Sequence, residues 1–329
     1  MKKPIHQVII VGGGVAGLSA AIYLARAQRD VLVIDTQKSL ALWEPRVENY
    51  FGFPEGISGK DLLKRGLRQA HCWGAHTHKD EIVNARRKRG LFVLRGRRRQ
   101  YVARRVLLAT GLFHLLPKID GVSECLGGSI FFCKDCDGCR VRKKRILIYG
   151  SNNEAMDYAL GMLCYSASVG IVTDGKPPNW NRQHAWAKEY RIPVFTSRIR
   201  GVRRQGKQIK HLIFTDGQIM RVDALFTTRG DIFHNKLART MGAKTNAAGE
   251  VQVDDQLRTS VPGLFAAGCV TPANCQMIIA AGQGATAAQA INRDLFEESL
   301  ATHCLDGSRQ DRRKRRCHES RLTFQNIIA

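Results

Sequence analysis

The sequence predicts an α/β protein with two three-layer domains, the second inserted into the first. Two observations support this prediction. A buried strand, a glycine-rich loop and a helix follow one another near the amino terminus, and the same order recurs from residue 145. A chain of 329 residues is also long enough for two separate cores.

The first glycine loop has the complete surroundings of a dinucleotide-binding fold of the Rossmann type. Residues 7–11 predict a buried strand, residues 18–26 a helix, and residues 31–34 a second strand that ends at Asp35. Glycines let the backbone approach a pyrophosphate, the helix start favours its charge, and the acid can accept from a ribose hydroxyl. The candidate cofactor residues here are Gly12, Gly14, Val15, Ala16, Gly17 and Asp35.

The rest of the first domain follows in order. Residues 59–69 predict a helix, residues 82–106 an antiparallel hairpin, and residues 105–111 a buried strand that ends in a glycine turn. Pro117 and Gly121 then mark a crossover to the second domain.

The second domain repeats the opening pattern of the first. Its predicted elements are a strand at 145–149, a loop at 150–155, a helix at 156–165, and strands at 169–173, 208–214 and 224–228. Such duplication indicates two related α/β domains. The segments at 251–254 and 259–268 and a helix from about residue 280 return to the first domain. We therefore expect one domain over 1–116 and 248–300, a second over 117–247, and a basic tail over 301–329.

Between the two loops lies a Cys-x-x-Cys-Asp-Gly motif at residues 133–138. Two thiols at this spacing can close into a disulfide and reopen, which is a two-electron switch that a dinucleotide cofactor can feed or drain. Cys139 extends the run and raises the question of an iron–sulfur site. No fourth cysteine follows at the spacing of such clusters, so we predict no metal.

Charge and composition narrow the partners. The net charge is +24, concentrated at 86–89, 95–105 and 312–316. No nucleic-acid motif accompanies these clusters, which disfavours nucleic acid as a partner, and no apolar run reaches membrane-spanning length. An acidic protein partner or a merely solvated basic face accounts better for the charge. We expect a cytoplasmic protein, because no signal peptide precedes the first strand. Four isolated cysteines are expected to be core residues: Cys72, Cys125, Cys164 and Cys304.

Taken together, these motifs resemble the low-molecular-weight thioredoxin reductase family of flavoproteins. The resemblance covers nearly the whole chain. It rests on the loop at 12–17, Val-Glu-Asn at 47–49 before Gly52-Phe53, Ala-Thr-Gly at 109–111, Cys133 to Gly138, the segment 259–268, and Cys275-Gln276 leading into 281–288.

The resemblance implies bound FAD, a homodimer and a thioredoxin-like protein as substrate. It implies that Cys136 faces the flavin and that Cys133 attacks the substrate disulfide, with Asp137 placed to protonate a leaving thiolate. Trp43 either lies near the flavin ring or fills core. The further FAD-binding residues that it implies are Asn49, Ala109, Thr110, Gly111, Gly268, Cys269, Gln276, Met277 and Ile278.

Two departures concern the second loop, which binds NADPH in the family. Asn152 replaces the middle glycine, and its side chain is expected to intrude where a pyrophosphate needs bare backbone. Asp174 ends the second strand and would repel a 2′-phosphate. These residues argue against NADPH and leave NADH open. The chain is most similar to the deeply rooted cyanobacterial branch, which is described as lacking the NADPH motif.

The leading functional hypothesis is an FAD-dependent reductase of a thioredoxin-type disulfide that works without NADPH. An acidic electron carrier such as ferredoxin is the hypothetical donor, because opposite potentials speed encounter. Two alternatives stay open: a dithiol oxidase that passes electrons through FAD to oxygen, and a redox-sensing flavoprotein that binds a partner through its basic tail.

Overall fold

The computed structural model describes residues 4–180, 184–302 and 304. The chain forms two compact units: it leaves the first after Phe113 and returns to it at Phe233. The basic run predicted in the tail, 312–316, lies outside the described residues. Within the described residues, no helix is both long and apolar enough to cross a bilayer.

The first unit begins with two helices and seven strands. Their bounds are β1 (Ile5–Val11), α1 (Val15–Arg26), β2 (Val31–Asp35), α2 (Gly59–Cys72), β3 (His76–Lys79), β4 (Ile82–Lys88), β5 (Leu91–Gly96), β6 (Gln100–Leu108) and β7 (Leu112–His114). A short 3₁₀ helix, Leu40–Trp43, lies between β2 and α2.

The second unit contains eight strands and three helices. They are β8 (Ile130–Phe131), α3 (Lys134–Asp137), β9 (Ile146–Tyr149), α4 (Asn153–Met162), β10 (Val169–Val172), α5 (His184–Glu189), β11 (Val194–Phe195), β12 (Ile199–Gln205), β13 (Gln208–Phe214), β14 (Ile219–Arg221) and β15 (Ala224–Thr227). The chain then continues through β16 (Asp231–Phe233), α6 (Lys236–Thr240), β17 (Leu264–Ala266) and α7 (Met277–Ala301).

The first unit is built on a seven-stranded sheet in the order β3-β2-β1-β6-β5-β4, with β17 paired to the end of β6. The strands β3, β2, β1, β6 and β17 are parallel, whereas β4, β5 and β6 pair antiparallel. This confirms both the Rossmann-type opening and the predicted hairpin over 82–106.

Side chains of β1 alternate between two cores because successive residues of a strand point to opposite faces. Val8 and Ile10 belong to the core shared with α1 and α7, while Ile9 and Val11 belong to the core on the other face. The helices α1 and α7 pack closely, since a Cβ on Gly284 would lie 2.1 Å from the carbonyl oxygen of Ala16. The missing side chain of Gly284 on α7 therefore lets this helix lie against the first turn of α1.

The chain re-enters the first unit at Phe233, ahead of the predicted residue 248. The reason is packing. Leu237 and Ala238 of α6 are buried in the same core as Ile9. The stretch before residue 248 contains little apolar periodicity, so the sequence signal for this return is weak.

The turn between β3 and β4 depends on one buried carboxylate, Asp80, which is 6% exposed. Its oxygens accept from the Tyr101 hydroxyl at 2.9 Å and from the backbone N–H groups of Glu81 at 2.8 Å and Arg98 at 3.2 Å. Burial by itself would raise the pKa of Asp80, but these hydrogen bonds outweigh it and hold the pKa below its usual value. The folded state therefore favours the ionised carboxylate.

We expect Asp80→Ala to lower the free energy of unfolding by about 3 kcal/mol, because it leaves a buried hydroxyl and two N–H donors without an acceptor. Tyr101→Phe, the matched control, removes one donor and should cost about 1 kcal/mol. Since the folded pKa is depressed, the stabilisation is present above the unfolded value of about 4 and is lost as pH falls through the folded pKa. Urea unfolding at neutral pH and near pH 3 measures both effects. A loss under about 1 kcal/mol for Asp80→Ala would contradict the prediction.

The second unit has a five-stranded sheet in the order β11-β10-β9-β15-β8, and all four pairings are parallel. A separate antiparallel sheet, β12-β13-β14, packs beside it in the core that contains Leu212 and Leu147. The predicted strands at 145–149, 169–173, 208–214 and 224–228 are confirmed within a residue or two. The predicted fold class, two Rossmann-like domains with the second inserted in the first, is confirmed.

Candidate active site

The carboxyl ends of the parallel strands of the second unit meet at one edge of its sheet. The Cys-x-x-Cys motif follows β8, the second glycine loop follows β9, Asp174 follows β10, and Arg229 follows β15. Because β8 is paired to β15 and β15 to β9, the thiols and this loop belong to the same edge. The topology therefore brings together residues that are up to 96 positions apart in the sequence, Cys133 and Arg229.

Cys133 and Cys136 form a disulfide with their Cα atoms 5.3 Å apart, as the motif predicts. Cys133 caps α3, and its Sγ accepts from the backbone N–H of Cys136 at 3.1 Å. Such a donor favours negative charge on the Cys133 sulfur once the disulfide opens. Both cysteines are half-buried, so a sulfur of another molecule can approach.

Asp137 directly follows the pair and is 5% exposed. Its Oδ1 lies 2.7 Å from Nη1 of Arg140 in an ion pair within one helical turn. The sequence analysis did not single out Arg140. Its i,i+3 spacing from Asp137 was the available signal. The guanidinium favours the charged carboxylate, so this ion pair opposes protonation of Asp137, which a proton donor requires.

Gly138 is required by its neighbour rather than by its backbone angles. A Cβ at this position would lie 2.5 Å from the Tyr165 ring. The close approach of this ring seats the thiol turn on the chain that follows α4. Tyr158 of α4 adds a second tie, because its hydroxyl donates to the carbonyl oxygen of Phe132 at 2.9 Å.

In the second glycine loop, an asparagine side chain caps the helix that follows. Asn152 caps α4, and its Oδ1 accepts from the backbone N–H of Ala155 at 3.2 Å. The Asn152 side chain thus accepts from a backbone N–H group that a bound phosphate would use.

Asp174 is held by groups of the second unit itself. It adopts a left-handed backbone with φ 53° and accepts from the Tyr149 hydroxyl at 2.5 Å and the Ile199 N–H at 2.8 Å. Burial and the Asp174 carboxylate raise the pKa of Tyr149 to about 12. Arg229 lies over the Tyr149 ring, 5.9 Å from its centroid, and brings positive charge that the sequence analysis did not place here.

The first glycine loop has a different character from the second. Gly14 is the cap residue of α1 and offers no side chain to its N–H groups. Gly12 has φ +110°, and a Cβ there would lie 2.2 Å from the Ala109 carbonyl oxygen. A Cβ on Gly13 would meet the Asp35 side chain at 2.8 Å. The structure thus brings the loop, Asp35 and the Ala-Thr-Gly segment together, and no side chain caps the start of α1.

Other predicted cofactor residues converge on the start of α7. Gln276 caps this helix, and its Oε1 accepts from Nδ2 of Asn49 at 2.9 Å. Met277 and Ile278 are the first two residues of the helix. Gly268 has φ +79° and lies against Ala16 in the first turn of α1, where a Cβ would approach to 3.0 Å.

Thr110 and Trp43 have partners within the first unit. The Thr110 hydroxyl donates to the His234 carbonyl oxygen at 2.8 Å. The half-buried Trp43 ring makes an edge-to-face contact with Phe113, the centroids lying 5.4 Å apart. This contact gives the indole one aromatic neighbour. It is compatible with both interpretations of Trp43, a residue near the flavin ring and a core residue.

A second disulfide, which the sequence analysis missed, joins Cys269 to Cys275 with a Cα separation of 5.0 Å. The signal was available in the Cys-x₅-Cys spacing, but Cys269 was interpreted only as a cofactor contact. Of the four cysteines expected in the core, only Cys125 is buried, and Cys72, Cys164 and Cys304 are exposed thiols. Cys139 is also an exposed thiol. In the described part of the chain, no cluster of three or more histidine, cysteine or acidic residues is placed to hold a metal.

Comparison with known proteins agrees with this geometry. Residues 6–291 match the family model described as pyridine nucleotide-disulphide oxidoreductase. The chain is 32% identical to the thioredoxin reductase of Treponema pallidum, over 87% of this chain and 95% of the relative.

Solved structures give the same picture. The atypical thioredoxin reductase TRi from Desulfovibrio vulgaris Hildenborough is 32% identical, covers 89% of this chain and 99% of its own, and has a TM-score of 0.51. A thioredoxin reductase from Streptococcus pyogenes has a TM-score of 0.83 with the same coverage, and at 22% identity it shows the fold alone.

The chain therefore combines an intact dinucleotide loop in one unit with a redox cysteine pair at the strand ends of the other. The family match spans both units. The family implies FAD and the chemistry of a disulfide oxidoreductase. The chain belongs to the pyridine nucleotide-disulphide oxidoreductase family and is a thioredoxin reductase-like, FAD-dependent enzyme of that family.

Proposed function

We propose that this enzyme reduces the disulfide of a thioredoxin-like protein through Cys133 and Cys136, with electrons that do not come from NADPH. The relatives named thioredoxin reductase support the substrate class. The single observation that argues against NADPH is the difference between the two glycine loops. The first loop gives α1 no side-chain cap, whereas in the second loop the Asn152 side chain caps α4.

The first unit fits FAD. A Cβ on Gly12 or Gly17 would collide with the backbone of Ala109 or of Gly12, so the tight turn needs glycine, and Gly14 leaves the N–H groups at the start of α1 without a side-chain cap, as a pyrophosphate requires. Asp35 is placed beside the loop to accept from a ribose hydroxyl. The residues that we propose to line the remainder are Val15, Ala16, Trp43, Asn49, Ala109, Thr110, Gly111, Gly268, Cys269, Gln276, Met277 and Ile278.

FAD, when bound, supplies the two electrons that open the Cys133–Cys136 disulfide. The Cys133 thiolate then attacks the substrate disulfide, forming a mixed disulfide and releasing one substrate thiolate. Cys136 attacks the Cys133 sulfur, which releases the second thiolate and restores the enzyme disulfide. Two protons are taken up by the substrate thiols. We propose that Asp137 delivers one of them and that Arg140 holds its carboxyl group in position.

We propose that the donor is an acidic one-electron carrier of the ferredoxin class. The net charge of +24 favours encounter with such a protein. Exposed arginines on the hairpin β4–β5, such as Arg86 and Arg95, contribute to this charge. NADH stays a weaker possibility, because an acid at the end of β10 can hold a 2′-hydroxyl, although Asp174 already has two partners.

Anaerobic stopped-flow reduction of the bound flavin tests the donor. We expect reduced ferredoxin to react at least about a hundredfold faster than NADPH at equal concentration, and the rate to fall steeply with ionic strength. Asn152→Gly should raise the NADPH or NADH rate about tenfold by uncovering the Ala155 N–H, at little cost in stability.

Asn153→Ala is the matched control. Asn153 is the first residue of α4 and follows the cap residue, so its replacement leaves the Asn152 contact in place. Rapid reduction of the wild-type flavin by micromolar NADPH would refute the proposal. Peroxide release on adding a dithiol substrate, without reduction of the thioredoxin-type disulfide, would favour a dithiol oxidase instead.

We further propose that the enzyme is a cytoplasmic homodimer of the deeply rooted branch. The resemblance supports this placement through the second loop, where Asn152 and Asp174 depart from the NADPH-binding pattern. The proposed role of the basic tail in partner binding concerns residues outside those described.

A further inference from the structure

The second disulfide lies at a position with consequences for the proposed FAD site. Cys269 directly follows Gly268, and Cys275 directly precedes Gln276. Gly268 packs on Ala16 at the start of α1, and Gln276 caps α7 and bonds Asn49. The bridge therefore ties together the two chain segments that carry these contacts.

The two ends of the bridged loop are held unequally. At the first end, Gly268 N–H donates to Oε1 of Gln283 at 2.7 Å. The Thr271 hydroxyl, on a residue 1% exposed, donates to the Gly268 carbonyl oxygen at 2.9 Å. These bonds do not involve either sulfur, so they persist if the bridge opens.

The second end of the loop, residues 272–276, is held by short-range backbone bonds and by the bridge. Gln276 N–H donates to the Asn274 carbonyl oxygen at 2.8 Å, the Gln276 carbonyl oxygen accepts from the Ala280 N–H of α7 at 2.9 Å, and Pro272 and Asn274 are exposed. Opening the disulfide would thus make this half of the loop more mobile and weaken the Gln276–Asn49 hydrogen bond. The position of the Gly268 end would change less.

Several features distinguish this bridge from a structural disulfide. It closes a loop of only six residues' separation, so it restrains the unfolded chain far less than a bridge across a long loop. Both sulfurs belong to half-buried residues that an attacking thiolate can reach. The same chain keeps Cys72, Cys139 and Cys164 as exposed thiols, which is typical of a reducing environment.

We infer that Cys269–Cys275 is a second redox-active disulfide, which exchanges with an external dithiol and whose reduction loosens the hold of the first unit on FAD. One thiolate of the dithiol attacks one sulfur of the bridge, forming a mixed disulfide, and the other cysteine leaves and takes a proton. The second thiolate of the reductant then attacks the reductant sulfur of the mixed disulfide and displaces the remaining cysteine, which takes a proton. The bridge gains two electrons and two protons, and the dithiol becomes a disulfide.

This inference rests on the proposed FAD site, and the experiment separates the two. The FAD-loaded full chain carrying Cys133→Ser and Cys136→Ser is equilibrated anaerobically with mixtures of reduced and oxidised dithiothreitol, and then alkylated. Mass spectrometry of the peptide that contains residues 269–275 reports the thiols, and filtration reports the rate of FAD release. A chain that binds no FAD in any state would refute the FAD site instead.

We expect the bridge to titrate while the protein stays folded by circular dichroism, and FAD release to become at least about fivefold faster in the reduced state. Cys275→Ser should release FAD at the fast rate without reductant and should not respond to it. Cys72→Ser, the control for an exposed thiol of the same unit, should behave as the parent chain. A bridge that opens only on unfolding, or that opens with FAD release unchanged, would overturn the inference.

Discussion

Cys136→Ser should lower the rate of thioredoxin-type disulfide reduction by about a thousandfold or more and should trap the substrate as a mixed disulfide on Cys133. The physical reason is the order of attack. The Cys133 sulfur accepts the Cys136 N–H, which favours its thiolate, and Cys136 is close enough to release the substrate from it. A non-reducing gel and steady-state turnover measure the two effects.

Cys133→Ser should lose turnover to the same extent and trap no substrate, because the attacking sulfur is gone. Cys139→Ser is the matched control: its thiol is exposed, lies three residues beyond Cys136 and has no place in the proposed steps. It should keep full turnover. If the covalent complex accumulated with Cys133→Ser instead, the roles of the two cysteines would be reversed.

Asp137→Asn keeps the shape of the side chain and removes the proton that it would deliver. We expect a fall in turnover of about a hundredfold, with the mixed disulfide still formed, since attack by Cys133 precedes protonation.

Gly12→Ala should weaken FAD binding by about a hundredfold or more, so the purified variant should retain little FAD. Two costs add. An alanine at φ +110° is strained by about 1–3 kcal/mol, and its Cβ would lie 2.2 Å from the Ala109 carbonyl oxygen, which forces the loop away from the Ala-Thr-Gly segment. The flavin-to-protein ratio after gel filtration measures retention.

Gly282→Ala is the matched control for this change. Gly282 is an exposed residue of α7, and no atom lies within 4 Å of the position that its Cβ would take. It should retain FAD and gain about 0.5–1 kcal/mol of stability from its better helix propensity. Circular dichroism separates loss of cofactor from loss of fold. Full FAD retention by a folded Gly12→Ala variant would contradict the assignment of this loop.

Much of the fold was readable because its signals are local. A continuous apolar strand, a glycine loop and a helix with small inner residues lie next to one another in the sequence, so the two openings were predicted, as was the Cys133–Cys136 disulfide. The return to the first unit was harder. It depends on Leu237 and Ala238 joining the core that contains Ile9, a residue more than 200 positions earlier in the sequence.

The site shows the same division. The sequence by itself determined which residue types were available: the bare loop at Gly12–Gly17, the paired thiols, and an asparagine and an acid where a second nucleotide would need glycine and a cation. Only the tertiary structure decided how they are used. It paired Arg140 with Asp137, gave Asn152 the Ala155 N–H, engaged Asp174 with Tyr149, and joined Cys269 to Cys275. The spacing of Asp137 and Arg140 and that of Cys269 and Cys275 permit these pairings, but distances across turns and between strand ends decide which of the permitted pairings form.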